Sequence, residues 1–263
     1  MKNIYIKIKL IFLLGLSTTS ITAYAQLPEE IQWKHLVKTY TLDSSELVLS
    51  LNGKPLNGKY KIPLDEDSFA LYHIKNGMIT GDAFWYSNHG NLECKLSYKK
   101  GVRNGPKENY DRDGKVWLYQ EYKDGKQHGT NEMYSNNSML TSKTEYKNGK
   151  KHGWSYVYTS GKITTENYYE DGLQNGTYKS YNTNGDLLIE SNYKNDRRHG
   201  LFTMYTNGVK NMDFVYENGE KHGVSHMYKP DGSVIFEHWF ILGQKVSKAD
   251  FDKYQLKHKK GIK

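Results

Sequence analysis

The chain has 263 residues, one cysteine, five prolines and a formal net charge of +8, and only 37% of its residues are hydrophobic. This fraction is low for a globular core, so the composition disfavours a compact doubly wound enzyme. The 23 tyrosines and 24 glycines instead favour many strands and turns. A single cysteine excludes an internal disulfide.

The first 25 residues have the pattern of a cleavable signal peptide. Three lysines precede an apolar stretch over residues 10–16, and residues 23–25 fit the small-x-small site of signal peptidase. The apolar stretch is well short of the ~20 residues that span a bilayer. We therefore expect cleavage after Ala25 and a secreted or periplasmic mature chain with no transmembrane segment. Removal of the three lysines lowers its net charge from +8 to +5.

Residues 26–71 differ in pattern from the rest of the chain. They contain the apolar run 47–49, an interruption at Pro63 and one divergent copy of the repeat described below, which begins at Gly53. Because an open sheet needs protected edges, we assign this segment to an N-terminal cap.

Residues 72–246 repeat with a period of 23 or 24 residues. Each unit carries a pair of glycines four residues apart, and the pairs after Gly77/Gly81 are Gly101/Gly105, Gly125/Gly129, Gly149/Gly153, Gly172/Gly176 and Gly219/Gly223. Asp196/Gly200 is an imperfect copy. A tyrosine follows the second position of each pair by five residues, and we call this set the tyrosine ladder: Tyr86, Tyr110, Tyr134, Tyr158, Tyr181, Tyr205 and Tyr228.

Each unit predicts two strands and two turns. The first strand runs from the second glycine to the ladder tyrosine, and a first turn such as 182–185 follows it. The second strand alternates, so that Leu187 and Ile189 are predicted to share one face. The second turn, such as 123–129, is predicted to be a solvated loop that contains both glycines of the pair.

A run of hairpins without intervening helices indicates an antiparallel meander that grows by ~9.5 Å per repeat. The predicted fold class is therefore all-β: an elongated antiparallel meander of about seven stacked β-hairpin repeats. Residues 247–263 predict a short C-terminal cap helix and a basic tail, because Ser247 and Asp250 form a capping-box pattern ahead of Phe251.

The segment 146–153, Tyr-Lys-Asn-Gly-Lys-Lys-His-Gly, followed by Tyr158 and Gly161, resembles the variant MORN repeat. The resemblance extends over about residues 72–246 and includes bacterial YwqK-type antitoxins. The resemblance implies an elongated sheet of stacked hairpins that is used for binding, usually without catalysis. For an antitoxin, it implies that the partner is a toxin. A signal peptide does not fit a partner in the cytoplasm.

The tyrosine ladder allows two interpretations, a binding surface or a packing role. The packing role is possible because tyrosine favours strands and pairs with residues on neighbouring strands. The residues that precede the tyrosines are largely apolar and would occupy the other face, which leaves both faces partly apolar. An exposed apolar sheet face is typical of an interaction site. We therefore treat the seven ladder tyrosines as candidate binding residues beside their packing role.

Other chemistry is not indicated by the sequence. The histidines that precede the second glycines are ~9.5 Å apart by strand spacing, too far to share one metal, and we predict neither metal nor cofactor. Cys94 lies in a predicted strand with an apolar residue, Leu92 or Leu96, two positions away on either side. This pattern predicts a buried, inert thiol. Known catalytic motifs and a basic nucleic-acid stripe are missing from the sequence, so we predict no enzyme and no nucleic-acid partner.

These observations predict a non-enzymatic scaffold that binds a macromolecule, most simply a protein, through its tyrosine-bearing face. An antitoxin or immunity-like role is the first alternative, suggested by the resemblance. Binding of an anionic lipid surface or of a glycan is the second, the former suggested by the charge of the mature chain.

Overall fold

The computed structural model describes residues 29–40, 47–64 and 67–259. The predicted signal peptide and the last four residues of the predicted basic tail lie outside these ranges. The strands are β1 (Glu29–Glu30), β2 (Val37–Tyr40), β3 (Leu47–Leu51), β4 (Lys54–Pro55), β5 (Gly58–Pro63), β6 (Phe69–Lys75), β7 (Met78–Ile79), β8 (Gly81–Tyr86), β9 (Leu92–Lys99), β10 (Val102–Tyr110), β11 (Val116–Lys123), β12 (Lys126–Tyr134), β13 (Leu140–Lys147), β14 (Lys150–Thr159), β15 (Lys162–Glu170), β16 (Leu173–Tyr181), β17 (Leu187–Lys194), β18 (Arg197–Thr206), β19 (Val209–Glu217), β20 (Glu220–Lys221), β21 (Gly223–Tyr228), β22 (Val234–Ile241) and β23 (Gln244–Val246). A 3-10 turn spans Trp33–His35, and helix α1 spans Lys248–Lys259.

One long sheet contains the strands from β5 to β23. Successive strands pair in antiparallel register along the chain, with the short strands β7 and β20 leading into β8 and β21. At the N-terminal end β1 adds in parallel to β5. This arrangement confirms the predicted all-β meander of hairpin repeats.

The second turns are tight two-residue turns. In the turn between β11 and β12, Asp124 and Gly125 have φ angles of 49° and 78°, and Lys123 pairs directly with Lys126. Positive φ at both central residues matches the right-handed twist of a hairpin, and it favours Asn-Gly and Asp-Gly sequences. Strand pairing therefore resumes within one residue of the first glycine.

The second glycines are consequently not turn residues, which corrects the prediction. Gly105, Gly129, Gly153 and Gly176 lie inside strands, and Gly223 begins one. Their φ angles lie between 91° and 118°, and the register shifts next to each of them. Such a bulge inserts extra residues into one strand, and glycine allows the required backbone conformation without strain.

A second bulge, at the other end of each hairpin, breaks the predicted alternation of the second strand. Leu187 pairs with Tyr181, whereas Ile189 pairs with Ser180. Directly paired residues lie on the same face of a sheet, whereas consecutive residues of one strand lie on opposite faces. Ser180 and Tyr181 are consecutive in β16, so their partners Ile189 and Leu187 lie on opposite faces. The prediction that they share a face was wrong, because the sequence pattern does not show the extra residue.

The main hydrophobic core lies at the N-terminal end. Strands β2, β3 and β4 form a small separate sheet. Leu49 from this sheet is completely buried together with Ile62 and Ala70 of the long sheet, and Trp85 and Tyr98 pack against the same cluster. The predicted boundary at residue 71 falls inside β6, because the long sheet already begins at β5.

Helix α1 follows the last strand and packs near β22. Its N-terminus is capped as expected: the Asp250 backbone N–H donates to Ser247 Oγ at 3.1 Å, and Ser247 Oγ donates to the Asp250 carboxylate at 2.6 Å. Phe251 is buried, and the ring of Tyr254 lies edge-on to His222. The predicted C-terminal helix is confirmed.

Candidate functional site

The ladder tyrosines all lie on one face of the long sheet, which we call the tyrosine face. Each ladder residue is half-buried and pairs with the first or second residue of the next strand. The seven pairs are Tyr86–Leu92, Tyr110–Val116, Tyr134–Leu140, Tyr158–Ile163, Tyr181–Leu187, Tyr205–Lys210 and Tyr228–Val234. Such cross-strand pairs stabilise a sheet, so the tyrosines have the predicted packing role.

Most ladder hydroxyls also donate to a carboxylate on the same face. Tyr110 and Tyr134 donate to Glu108 and Glu132, two residues earlier on their own strands. In later repeats the acceptor lies on the preceding strand, and the pairs are Tyr181–Glu166, Tyr205–Glu190 and Tyr228–Asp213. These bonds fix the orientation of the rings.

The carboxylates belong to a continuous row across the tyrosine face, which we call the central row. Its members are directly paired from strand to strand: Lys95, Glu108, Tyr119, Glu132, Lys143, Tyr156, Glu166, Lys179, Glu190, Thr203, Asp213, His226 and Glu237. Lysines and acids within it form ion pairs, of which Lys143–Glu132 at 3.1 Å is the shortest within the row. The row therefore combines both charge signs with aromatic rings.

Asp213 is the most buried acid of the central row, with 4% of its surface exposed. It accepts hydrogen bonds from the His226 ring at 2.8 Å, from the Tyr228 hydroxyl at 2.7 Å and from Lys210. Burial alone would raise the pKa of the Asp213 carboxyl, but the hydrogen bonds from Lys210, Tyr228 and His226 outweigh it and lower this pKa. The carboxylate is thus held in its charged form.

The carboxylates affect the ladder tyrosines in the opposite sense. The hydrogen bond to Glu132, followed by burial, raises the pKa of Tyr134 to about 12. Burial, followed by the hydrogen bond to Glu166, raises the pKa of Tyr181 to about 12. In both cases an ionised phenol would lose its hydrogen bond and face a negative charge.

We expect these phenols to ionise late in an alkaline titration followed by phenolate absorbance. Because the folded pKa is raised above the ordinary value of 10.0, their contribution to stability is complete below pH 10 and is lost between about pH 10 and 12. Glu132→Gln should return the pKa of Tyr134 towards 10, and Tyr134→Phe identifies its step in the titration. An unchanged titration of Glu132→Gln would contradict the assigned cause.

The opposite face has a parallel apolar row. It includes Met133, Val157, Met204 and Phe236, whose exposed fractions are 44%, 42%, 39% and 58%. At the N-terminal end Trp85, Tyr98 and the cap sheet cover this same face. The cap therefore packs against the opposite face and not against the tyrosine face.

The second turns are linked to each other along the edge of the sheet. The backbone N–H of Gly125 donates to Arg103 O at 2.9 Å, and that of Gly149 donates to Gln127 O at 2.7 Å, with equivalents in the other repeats. His152, His199 and His222 accept from the backbone N–H of the next turn at 3.4–3.5 Å through Nδ1. These three histidines therefore link each second turn to the next one along the edge of the sheet.

Metal and thiol chemistry find no support in the described ranges. No group of three or more His, Cys, Asp or Glu side chains there could hold a metal ion. Cys94 is half-buried, not buried as predicted. Burial raises the pKa of its thiol above the ordinary value, and the positive charges of Lys107 and Arg103 offset only part of this increase.

A groove on the tyrosine face lies at the first turns of the early repeats. Its walls include the rings of Tyr110, Trp117 and Tyr134, and its volume is 820 Å³. Trp117 is the bulged residue next to Val116, which pairs with Tyr110. Sequence analysis missed Trp117, although it is the only tryptophan at the third position after a first turn.

In the part of the chain that the structure describes, no helix is long and apolar enough to cross a membrane. A comparison with curated proteins found no match to the chain. Against models of protein families, residues 79–100 and 174–195 match the MORN repeat variant. Both segments begin two residues before a second glycine, Gly81 or Gly176, and so cover the same part of the repeat. The chain thus carries MORN-variant repeats at two equivalent positions of its β-hairpin array.

Proposed function

We propose that the protein is a non-enzymatic scaffold, secreted or periplasmic, that binds a protein partner through its tyrosine face. One observation carries the proposal: a line of oriented, half-exposed rings runs along this face, while the cap occupies the opposite one. MORN repeats are often binding modules, which supports a binding role.

The chemistry of the tyrosine face favours a protein. Tyrosine supplies a large contact area with few rotatable bonds, and a ring that is already held by a carboxylate loses little entropy on binding. The alternating lysines and acids of the central row offer charge partners of both signs, which gives specificity and orientation. Acids outnumber lysines in the row, which disfavours an anionic membrane on this face.

The proposal is tested by removing rings from the middle of the ladder. The purified full chain captures its partner from envelope and secreted fractions of its host, and mass spectrometry identifies it. The triple variant Tyr158→Ser, Tyr181→Ser, Tyr205→Ser should lose most of the captured protein, at least about tenfold, because aromatic anchors dominate interface energies. The corresponding triple Phe variant keeps the rings and should retain most of the binding.

A matched variant tests the other face. Met133→Ser, Val157→Ser, Met204→Ser removes exposed apolar side chains of the opposite face and should leave capture intact. Capture that survives the tyrosine variant but not this one would place the partner on the opposite face. Circular dichroism establishes that each variant is folded before the comparison is made.

The same experiment separates the alternatives. The resemblance to YwqK-type antitoxins requires that the captured protein be a toxin whose activity the scaffold inhibits. A lipid role requires binding to anionic vesicles that is lost with salt, together with no captured protein. Secretion requires that the chain recovered from its host begin at Gln26.

A further inference from the structure

We propose that the groove lined by Tyr110, Trp117 and Tyr134 binds a neutral oligosaccharide. This site goes beyond the proposed function, since it lies at one end of the tyrosine face and does not use Tyr158, Tyr181 or Tyr205. Its volume of 820 Å³ falls in the range of sites that bind small molecules.

Three aromatic residues and Leu92 form the apolar part of the groove. The three aromatic residues are Tyr110, Trp117 and Tyr134. They belong to the neighbouring strands β10, β11 and β12, and Tyr110 and Tyr134 are one repeat apart, ~9.5 Å by strand spacing. The two hydroxyls donate to Glu108 and Glu132, so these rings are held in place, and Trp117 is 38% exposed. The two held tyrosine rings and the exposed indole thus lie on three successive strands. Such a row suits an extended chain of sugar rings, whose C–H faces stack on aromatic faces.

Polar side chains of the first turns supply the hydrogen-bonding part. The amides of Asn88, Asn91 and Asn136 line the groove on an exposed edge. An amide can both donate and accept hydrogen bonds, and so can a sugar hydroxyl, so the two groups match without any charge. These amides come from two different first turns, on either side of the aromatic line.

The charges at the groove disfavour an anionic ligand. Glu93 and Asp111 line it together with the single guanidinium of Arg112. The Asp111 carboxylate is already engaged by the backbone N–H groups of Asp113 and Lys115, both at 2.9 Å. With carboxylates in excess over the guanidinium, a neutral sugar fits better than a phosphate or a uronic acid.

The groove is specific to one part of the array. The residues of the other repeats that correspond to Trp117 are Glu93, Thr141, Thr164, Leu188, Asn211 and Ile235. None of them is aromatic, so a three-ring line of this kind is encoded once. Leu188 is therefore a matched control position, because it has the same place in its repeat and an apolar side chain.

Isothermal titration calorimetry of the full-length protein with cellohexaose, chitohexaose and maltohexaose tests the proposal. We expect binding of at least one hexasaccharide, and an affinity at least about tenfold lower for Trp117→Ala, because ring stacking is lost. Leu188→Ala should bind as the wild type does, and Trp117→Phe should retain part of the affinity.

A second measurement does not depend on the folding of the alanine variant. The indole N–H resonance of Trp117, assigned by its loss in Trp117→Phe, should shift when the hexasaccharide is added to the wild-type protein. Absence of binding by all three sugars would overturn the proposal. It would also be overturned by binding that leaves this resonance unmoved and is equally strong in Trp117→Ala. Neither result depends on capture of a protein by the tyrosine face.

Discussion

Replacement of Asp213 by alanine is expected to lower the free energy of unfolding by about 3 kcal/mol. The Asp213 side chain is 6% exposed, and its carboxylate accepts hydrogen bonds from Lys210, His226 and Tyr228. Its removal leaves these donors with no acceptor in a partly desolvated site, which costs more than the loss of an exposed ion pair. Lys210 and His226 remain partly exposed to water, which keeps the loss at the lower end of the range for buried pairs.

The matched control is Glu190→Ala. Glu190 occupies the central row one repeat earlier, and both acids pair with Thr203, one from each side. The Glu190 side chain is 38% exposed and its ion pair with Lys179 spans 3.5 Å, so its loss should cost under about 1 kcal/mol. Urea unfolding of the two variants measures both values, and equal losses would contradict the role assigned to burial.

The loss at Asp213 should also depend on pH. Because the folded pKa of Asp213 is lowered, its contribution is present above the ordinary pKa of about 4 and is lost as the pH falls through the folded value. The difference between wild type and Asp213→Ala should therefore shrink in acid. A difference that stays constant from pH 7 to pH 3 would show that packing, not charge, is lost.

Much of this fold follows from short-range pattern. The Asn-Gly and Asp-Gly turns and the Ser247 capping box are signals that span only a few residues, and the turns recur with the 24-residue period. The sequence alone therefore predicts the hairpins and the cap helix. The bond from Tyr134 to Glu132 also has a local signal, since residues two apart in a strand share a face.

Long-range pairing explains the rest. The bulge that turns Leu187 towards Tyr181 depends on how β16 and β17 meet, and neither strand alone records it. The Asp213 cluster brings together side chains from β19 and β21, and the groove joins turns from separate repeats. The cap sheet likewise buries Leu49 against strands that are distant in sequence.

Replacement of Gly153 by alanine is expected to destabilise the protein by about 3 kcal/mol. Gly153 has a φ of 107°, a region that side chains with a Cβ rarely adopt, and it lies at the bulge of β14. A Cβ there would overlap the carboxylate of Glu145, which accepts a hydrogen bond from the Trp154 backbone N–H at 2.8 Å. The substitution therefore adds backbone strain and also breaks a hydrogen bond.

Gly161→Ala separates these two effects. Gly161 lies in a first turn with a φ of 77°, and no atom lies within 4 Å of the position of its Cβ. This variant carries backbone strain without the overlap, so we expect a loss of about 1 kcal/mol. If Gly161→Ala were as destabilising as Gly153→Ala in urea unfolding, the second glycine would be required for its φ angle alone.

The double variant Gly153→Ala, Glu145→Ala completes the argument. Removal of the Glu145 carboxylate makes room for the new Cβ, so the double variant should lose less stability than the two single variants together. The same contact recurs one repeat earlier, where Glu121 accepts from the Thr130 backbone N–H at 2.6 Å beside Gly129. In these two repeats the second glycine therefore makes room for the glutamate that bonds the bulged backbone, which explains its position inside a strand.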